Sequence, residues 1–153
     1  AMRAQREAEL RLRDGDAAAA EVSARDAVAL ADAAHSLAQA LGARILLAEA
    51  QSARGADAQA LRTLAEARTA LAAYASAGLR LRLLEAEIKV APAQAAARYR
   101  EARGELARWP AYGRAGTLHA AAAQVLAGRD EALAADARAA LARGAAKSPE
   151  ESP

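Results

Sequence analysis

Four times along this chain an Ala is followed by a second Ala seven residues later, each time just after a turn signal. The pairs are Ala20/Ala27, Ala60/Ala67, Ala95/Ala102 and Ala132/Ala139, separated by 40, 35 and 37 residues. The preceding turns are Asp14-Gly15-Asp16, Gly55-Ala56-Asp57, Ala91-Pro92 and Gly128-Arg129-Asp130. A period of this size marks stacked helical hairpins, because one hairpin cannot bury its apolar face alone. The spacing predicts an all-α chain, an α-α superhelix of about four antiparallel hairpins.

Composition supports the same class. About a third of the residues are Ala, and Phe is absent. Ala is the strongest helix former because it loses no side-chain entropy and buries no polar group. The β-branched and aromatic residues that favour strands are scarce. A small set of Leu, Ile, Val, Tyr and Trp must then supply most of the buried apolar area.

The helices are expected from the local punctuation. The first runs from Met2 to Arg13 and ends at Asp14-Gly15, with Asp16 as the N-cap of the second. The second continues to the low thirties. Ala33 to Arg54 reads as one helix, irregular near Gly42, and Asp57 is expected to cap a fourth helix reaching Ala77. The run from Leu79 to Val90 alternates like a strand. It also places Leu79, Leu83, Ala86 and Val90 on one helical face, and a lone strand would have no partner. Helix is therefore expected. Pro92 suits the first turn of the next helix, which runs to Arg108. A break at Trp109 to Gly113 follows, then a buried helix from Thr117 to Ala127 and a last one from Asp130 to Gly144. One domain is expected over 1–144, with a disordered tail over 145–153.

These residues resemble a tetratricopeptide-repeat array. In that family the first helix of each hairpin carries a small residue, at the positions of Ala8, Ala48, Leu83 and Ala120 here. The second carries Ala, a bulky residue four positions on, and another Ala three after that. The triples here are Ala20/Ala24/Ala27, Ala60/Leu64/Ala67, Ala95/Tyr99/Ala102 and Ala132/Asp136/Ala139. Asp136 departs from the pattern and is expected to be the polar cap of a terminal repeat. The resemblance implies a concave binding face lined by the first helices, with Gln5, Glu9, Ile45, Glu49, Arg80, Leu84, Thr117 and Ala121 on it. Ile45, Arg80 and Leu84 are the expected anchors. Residues that grip a C-terminal carboxylate in some members of the family have no counterparts here.

Chemistry is otherwise sparse. Charge is nearly balanced, 21 basic against 19 acidic residues, with Lys only at 89 and 147. Arg98, Arg100, Arg103, Arg108 and Arg114, with Tyr99, Trp109 and Tyr112, form the densest basic-aromatic cluster. Glu101 and Glu105 interrupt it, which argues against nucleic acid as a partner, and Trp109 and Tyr112 are expected to pack over a helix junction. There is no Cys, and the two His residues, His35 and His119, lack the spacing of a metal site. Glu85 and Glu87 read as a solvated face. No phosphate loop or nucleophile elbow occurs. No catalysis, cofactor or metal is expected. No membrane span or secretory signal is visible, and the cytoplasm is the favoured compartment.

The leading expectation is a non-catalytic protein-protein interaction module that holds a peptide, a partner protein or another domain of its own chain on the concave face. The alternatives are a ligand-sensing or regulatory domain, since the chain is similar in style to C-terminal parts of larger bacterial transcription regulators or kinases, and a dimerisation module, which would make the chain a homo-oligomer.

Overall fold

The computed structural model describes residues 1–146 as eight helices. They are α1 (Met2–Arg13), α2 (Ala17–Ala33), α3 (Leu37–Ala53), α4 (Asp57–Ala72), α5 (Ala77–Val90), α6 (Ala95–Arg108), α7 (Ala115–Leu126) and α8 (Glu131–Ala146), with a single 3-10 turn at Pro92–Gln94 before α6. No strand occurs among the described residues. The helices form four antiparallel hairpins that stack in sequence order, an all-α solenoid. The odd-numbered helices touch one another in series, α1 on α3, α3 on α5 and α5 on α7. Each even-numbered helix packs on its hairpin partner, and α2, α4 and α6 also pack on the helix that follows.

The turns work much as the residues imply. Gly15, Gly55 and Gly128 take φ of +80°, +80° and +77°, the left-handed conformation that ends a helix at little cost to glycine. Asp16 Oδ1 accepts from Ala19 N at 3.1 Å and Asp130 Oδ1 from Leu133 N at 3.0 Å, capping α2 and α8.

Several boundaries differ from expectation. The helix expected from Ala33 starts only at Leu37, after a turn at Ala34–Ser36 where His35 takes φ +52°. His35 N bonds Asp32 O and Ser36 N bonds Ala31 O, the same pattern that Gly55 and Ala56 make after α3. A histidine here does the work of a glycine, which hid the exact place of the turn. α3 then runs unbroken through Gly42. Asp57 is the first residue of α4 rather than its cap, and accepts a hydrogen bond from Ser52 Oγ at 3.0 Å. α4 stops at Ala72, and Ser76 Oγ caps α5 by accepting from Leu79 N at 3.3 Å. α8 continues to Ala146, past the expected boundary at 144, and the rest of the expected tail lies outside the described residues.

The core has three parts. Leu41, Ile45 and Ala48 of α3 pack with Ala60, Leu64, Ala67 and Leu71 of α4 and with Leu83, Ala86 and Val90 of α5. Leu81, Leu84 and Ile88 of α5 pack with Ala95, Tyr99 and Ala102 of α6 and with Leu118, Ala122, Leu126, Leu133, Ala134 and Ala137 of α7 and α8. The first hairpin is joined to α3 through Ala8, Ala24 and Leu46. The buried Ala pairs of the first three repeats sit where expected. The fourth is out of register: Ala120, Ala132, Asp136 and Ala139 are exposed, and the buried small residues are Ala121, Ala122, Ala134 and Ala137. The α7–α8 turn takes one residue more than the α1–α2 and α3–α4 turns. Asp136 is therefore not at a core position, and it pairs with Arg103 of α6 at 3.1 Å.

Candidate functional site

α5 decides which face of the odd-numbered helices meets solvent. It is flanked by α3, α4, α6 and α7, and buries Leu81, Leu83, Leu84, Glu85, Ala86, Glu87, Ile88 and Val90. Along it, Arg82, Glu85 and Lys89 recur at the three-to-four spacing of one helical face. They align with Gln5 and Glu9 of α1 and with Glu49 and Ser52 of α3. Glu9 lies 3.9 Å from Arg82, Glu49 lies 3.9 Å from Lys89, and Gln5 Nε2 donates to Gln39 O at 2.7 Å.

The expected face is thus corrected in part. Glu9 and Thr117 are exposed and Glu49 is half-buried, its side chain 21% exposed beside Lys89. Ile45 and Leu84, at 1% and 0% exposure, belong to the core and cannot anchor a partner. Ala121 is buried as well. Arg80 points to the other side of α5, where it donates to Glu105 of α6 at 2.9 Å. A fixed offset from the Ala pattern defines the expected face, and that offset fails on α5, where neighbours cover nearly every side. Arg82, Glu85, Lys89 and Arg114 escape it, although the interval from Arg82 to Lys89 is a usable signal.

Two clefts flank Lys89. One, of about 240 Å³, is lined by Leu12, Glu49, Ser52, Lys89 and Val90. The other, of about 400 Å³, is lined by Lys89, Pro92, Gln124, Val125 and Arg129. Together they make a groove across α1, α3, α5 and α7. Burial raises the Glu49 carboxyl above its usual range, opposed by the charge of Lys89 and reinforced by that of Glu85. Glu85 is 1% exposed, which overturns its assignment to a solvated face. One of its oxygens meets Arg114 at 3.1 Å, and the other has no hydrogen-bond partner among the described residues. Glu87 is buried too, between Arg68 and Arg98.

The basic cluster has another use. Arg98 pairs with Glu87 and Glu101, Arg100 with Asp130, Arg103 with Asp136, Arg108 with Glu105 and Arg114 with Glu85, at 2.8–3.4 Å. Of these, Arg98–Glu87, Arg100–Asp130 and Arg103–Asp136 tie α6 to its neighbours. Tyr99 is fully buried, and its hydroxyl lies 2.7 Å from His119 Nδ1. Burial lowers the pKa of His119, helped by Arg143 and Arg103, and raises that of Tyr99. Hydroxyl and Nδ1 share one hydrogen bond, in which the imidazole tautomer sets the donor. Tyr112 packs against the core, but Trp109 does not cover the junction: it is 58% exposed. It borders an apolar cleft of about 200 Å³ with Leu81, Pro110 and Tyr112, smaller than the usual small-molecule site of roughly 300–1,000 Å³.

No group of three or more His, Asp or Glu side chains among the described residues is arranged to hold a metal ion. No helix among them is long and apolar enough to cross a membrane. Comparison with family models, with curated proteins and with solved structures gave no match.

Proposed function

We propose that this chain is a non-catalytic protein-interaction module that holds an extended peptide of a partner along the groove of its odd-numbered helices. One contrast carries the reading. Away from the groove, ion pairs between helices close at hydrogen-bond distance, as in Arg68–Glu87 at 2.7 Å, Arg80–Glu105 at 2.9 Å and Arg103–Asp136 at 3.1 Å. In the groove, Glu49–Lys89 stands at 3.9 Å, and beside it on α1 and α5 so does Glu9–Arg82, too far apart to be hydrogen-bonded. Charges left loosely paired beside apolar side chains are free to engage a ligand, with little internal bonding to give up. The tetratricopeptide-like pattern of Ala8, Ala48 and the buried Ala pairs agrees with this use.

The test is a display library of random peptides panned against the whole chain, with Gln124→Trp as the blocked control. The indole would fill the cleft beside Lys89 without touching the core. Enriched peptides should bind the blocked chain about tenfold more weakly or worse. Failure to enrich any peptide, or equal binding to both chains, would sink the proposal.

A second reading, self-association through the first hairpin, is favoured by Val22 and Leu30 of α2, which are 57% and 52% exposed. Sedimentation equilibrium decides it: a mass that rises with concentration and returns to the monomer value in Val22→Lys supports it, and a constant monomer mass removes it.

A further inference from the structure

The groove has a sign. Its two clefts are lined by two cations, Lys89 and Arg129, and one carboxylate, Glu49. Lys89 is 41% exposed, and its only ion-pair partner among the described residues is Glu49, at 3.9 Å. Arg129 sits in the α7–α8 turn and makes no ion pair among the described residues. The arginines of α6 present no comparable free charge, because each is held by a carboxylate. The one acid lining these clefts is a poor neutraliser. Glu49 is partly withdrawn from solvent between α1, α3 and α5, where burial and the nearby Glu85 both disfavour its charged form, while Lys89, Arg82 and Arg114 favour it. The rest of the lining is apolar or neutral: Leu12, Val90, Pro92 and Val125, with Ser52 and Gln124 as hydrogen-bonding groups.

We infer that the groove selects an acidic segment of a partner protein, with side-chain carboxylates at Lys89 and Arg129 and apolar side chains between them. The inference rests on the peptide-binding reading above and adds its chemistry. Carboxylates gain from both cations, whereas a basic segment meets them as like charges, and complementarity of this kind governs partner choice more than raw affinity. Gln124 and Ser52 supply the polar contacts that fix a main chain in register. An oligonucleotide is the competing anion. Two free cations beside a carboxylate fit it poorly, since phosphate recognition needs a run of unpaired basic groups.

The charge of the peptides enriched from the display library reads the inference directly. They should be rich in Asp and Glu. A resynthesised, dye-labelled acidic peptide, followed by fluorescence anisotropy, should lose about tenfold or more in affinity for Lys89→Glu/Arg129→Glu, and weaken with added salt. Glu49→Gln should bind the same peptide about threefold more tightly, by removal of the one carboxylate that lines the clefts. A gain of affinity cannot come from misfolding. If the enriched peptides are neutral or basic, or if Lys89→Glu/Arg129→Glu binds the acidic peptide unchanged, the inference is overturned while peptide binding stands. Tighter binding of a labelled oligothymidylate than of the acidic peptide overturns it in the same way. If no peptide is enriched, both fall.

Discussion

His35 holds φ +52° in the α2–α3 turn, where Gly15 and Gly55 serve the equivalent turns. A side chain in that region is strained by roughly 1–2 kcal/mol, part of which glycine gives back through the greater freedom of its unfolded chain. His35→Gly should therefore raise stability by about 0.5–1 kcal/mol, read as a higher denaturation midpoint at unchanged slope. A loss of stability would mean that the imidazole makes a contact worth more than the strain. His119 poses a different question, because burial beside Tyr99 lowers its pKa. The unfolded histidine titrates near 6.5, so between that value and the lower folded pKa the unfolded chain binds more protons. Its contribution to stability is complete above about pH 6.5 and is lost as pH falls through the folded pKa. An NMR titration should place His119 below 6.5, and His119→Gln should flatten the fall in stability over that window. Glu49 has the opposite sign: its raised carboxyl favours folding at low pH, and the benefit is lost as pH rises through the folded pKa.

At the scale of elements, the hairpins are built unequally. The second and third bury Leu64 and Tyr99 at the bulky position of the pattern, and the first buries Ala24, against Ala8 and Leu46. Its helices approach on methyl groups, so a larger side chain has no room. Ala24→Leu should cost about 1–3 kcal/mol by overpacking, measured by chemical denaturation. An increase in stability would show a void between α1, α2 and α3. The punctuation of most elements is legible in the sequence because Gly15, Asp16, Gly55, Gly128 and Asp130 each have a local physical reason to stand where they do. The α2–α3 boundary is legible only to within a few residues, since nothing in Ala34-His35-Ser36 marks the turn itself. The Ala pattern puts the fourth repeat out of register, because Ala at seven-residue spacing is common in a chain so rich in Ala, and burial falls on Ala134 and Ala137 instead. The site suffers most. Ile45 and Leu84 have the right composition for anchors, but whether a helix face is covered depends on how many neighbours the helix has. α5 has four, and that is a property of the stack.

Over the whole molecule, charge is sorted by layer. α4, α6 and α8 are linked by Arg68–Glu101 and Arg103–Asp136, and Glu87 joins Arg68 of α4 to Arg98 of α6 from its place on α5. These contacts fix the stacking of hairpins whose apolar contacts are mostly small. Pairs of partly exposed groups are each worth little, at most about 1 kcal/mol, so their value lies in register across the stack. The groove side is left looser, with Lys89 and Arg129 turned to solvent. The most direct measurement of a binding groove on this side is a ¹H–¹⁵N correlation spectrum of the labelled chain, titrated with a library-selected peptide. Shifts should cluster at Ser52, Lys89, Gln124 and Arg129, with the outer Arg62, Arg100 and Arg138 unmoved. Shifts centred on α2, α4, α6 or α8, with the Lys89 stripe silent, would contradict a groove that binds.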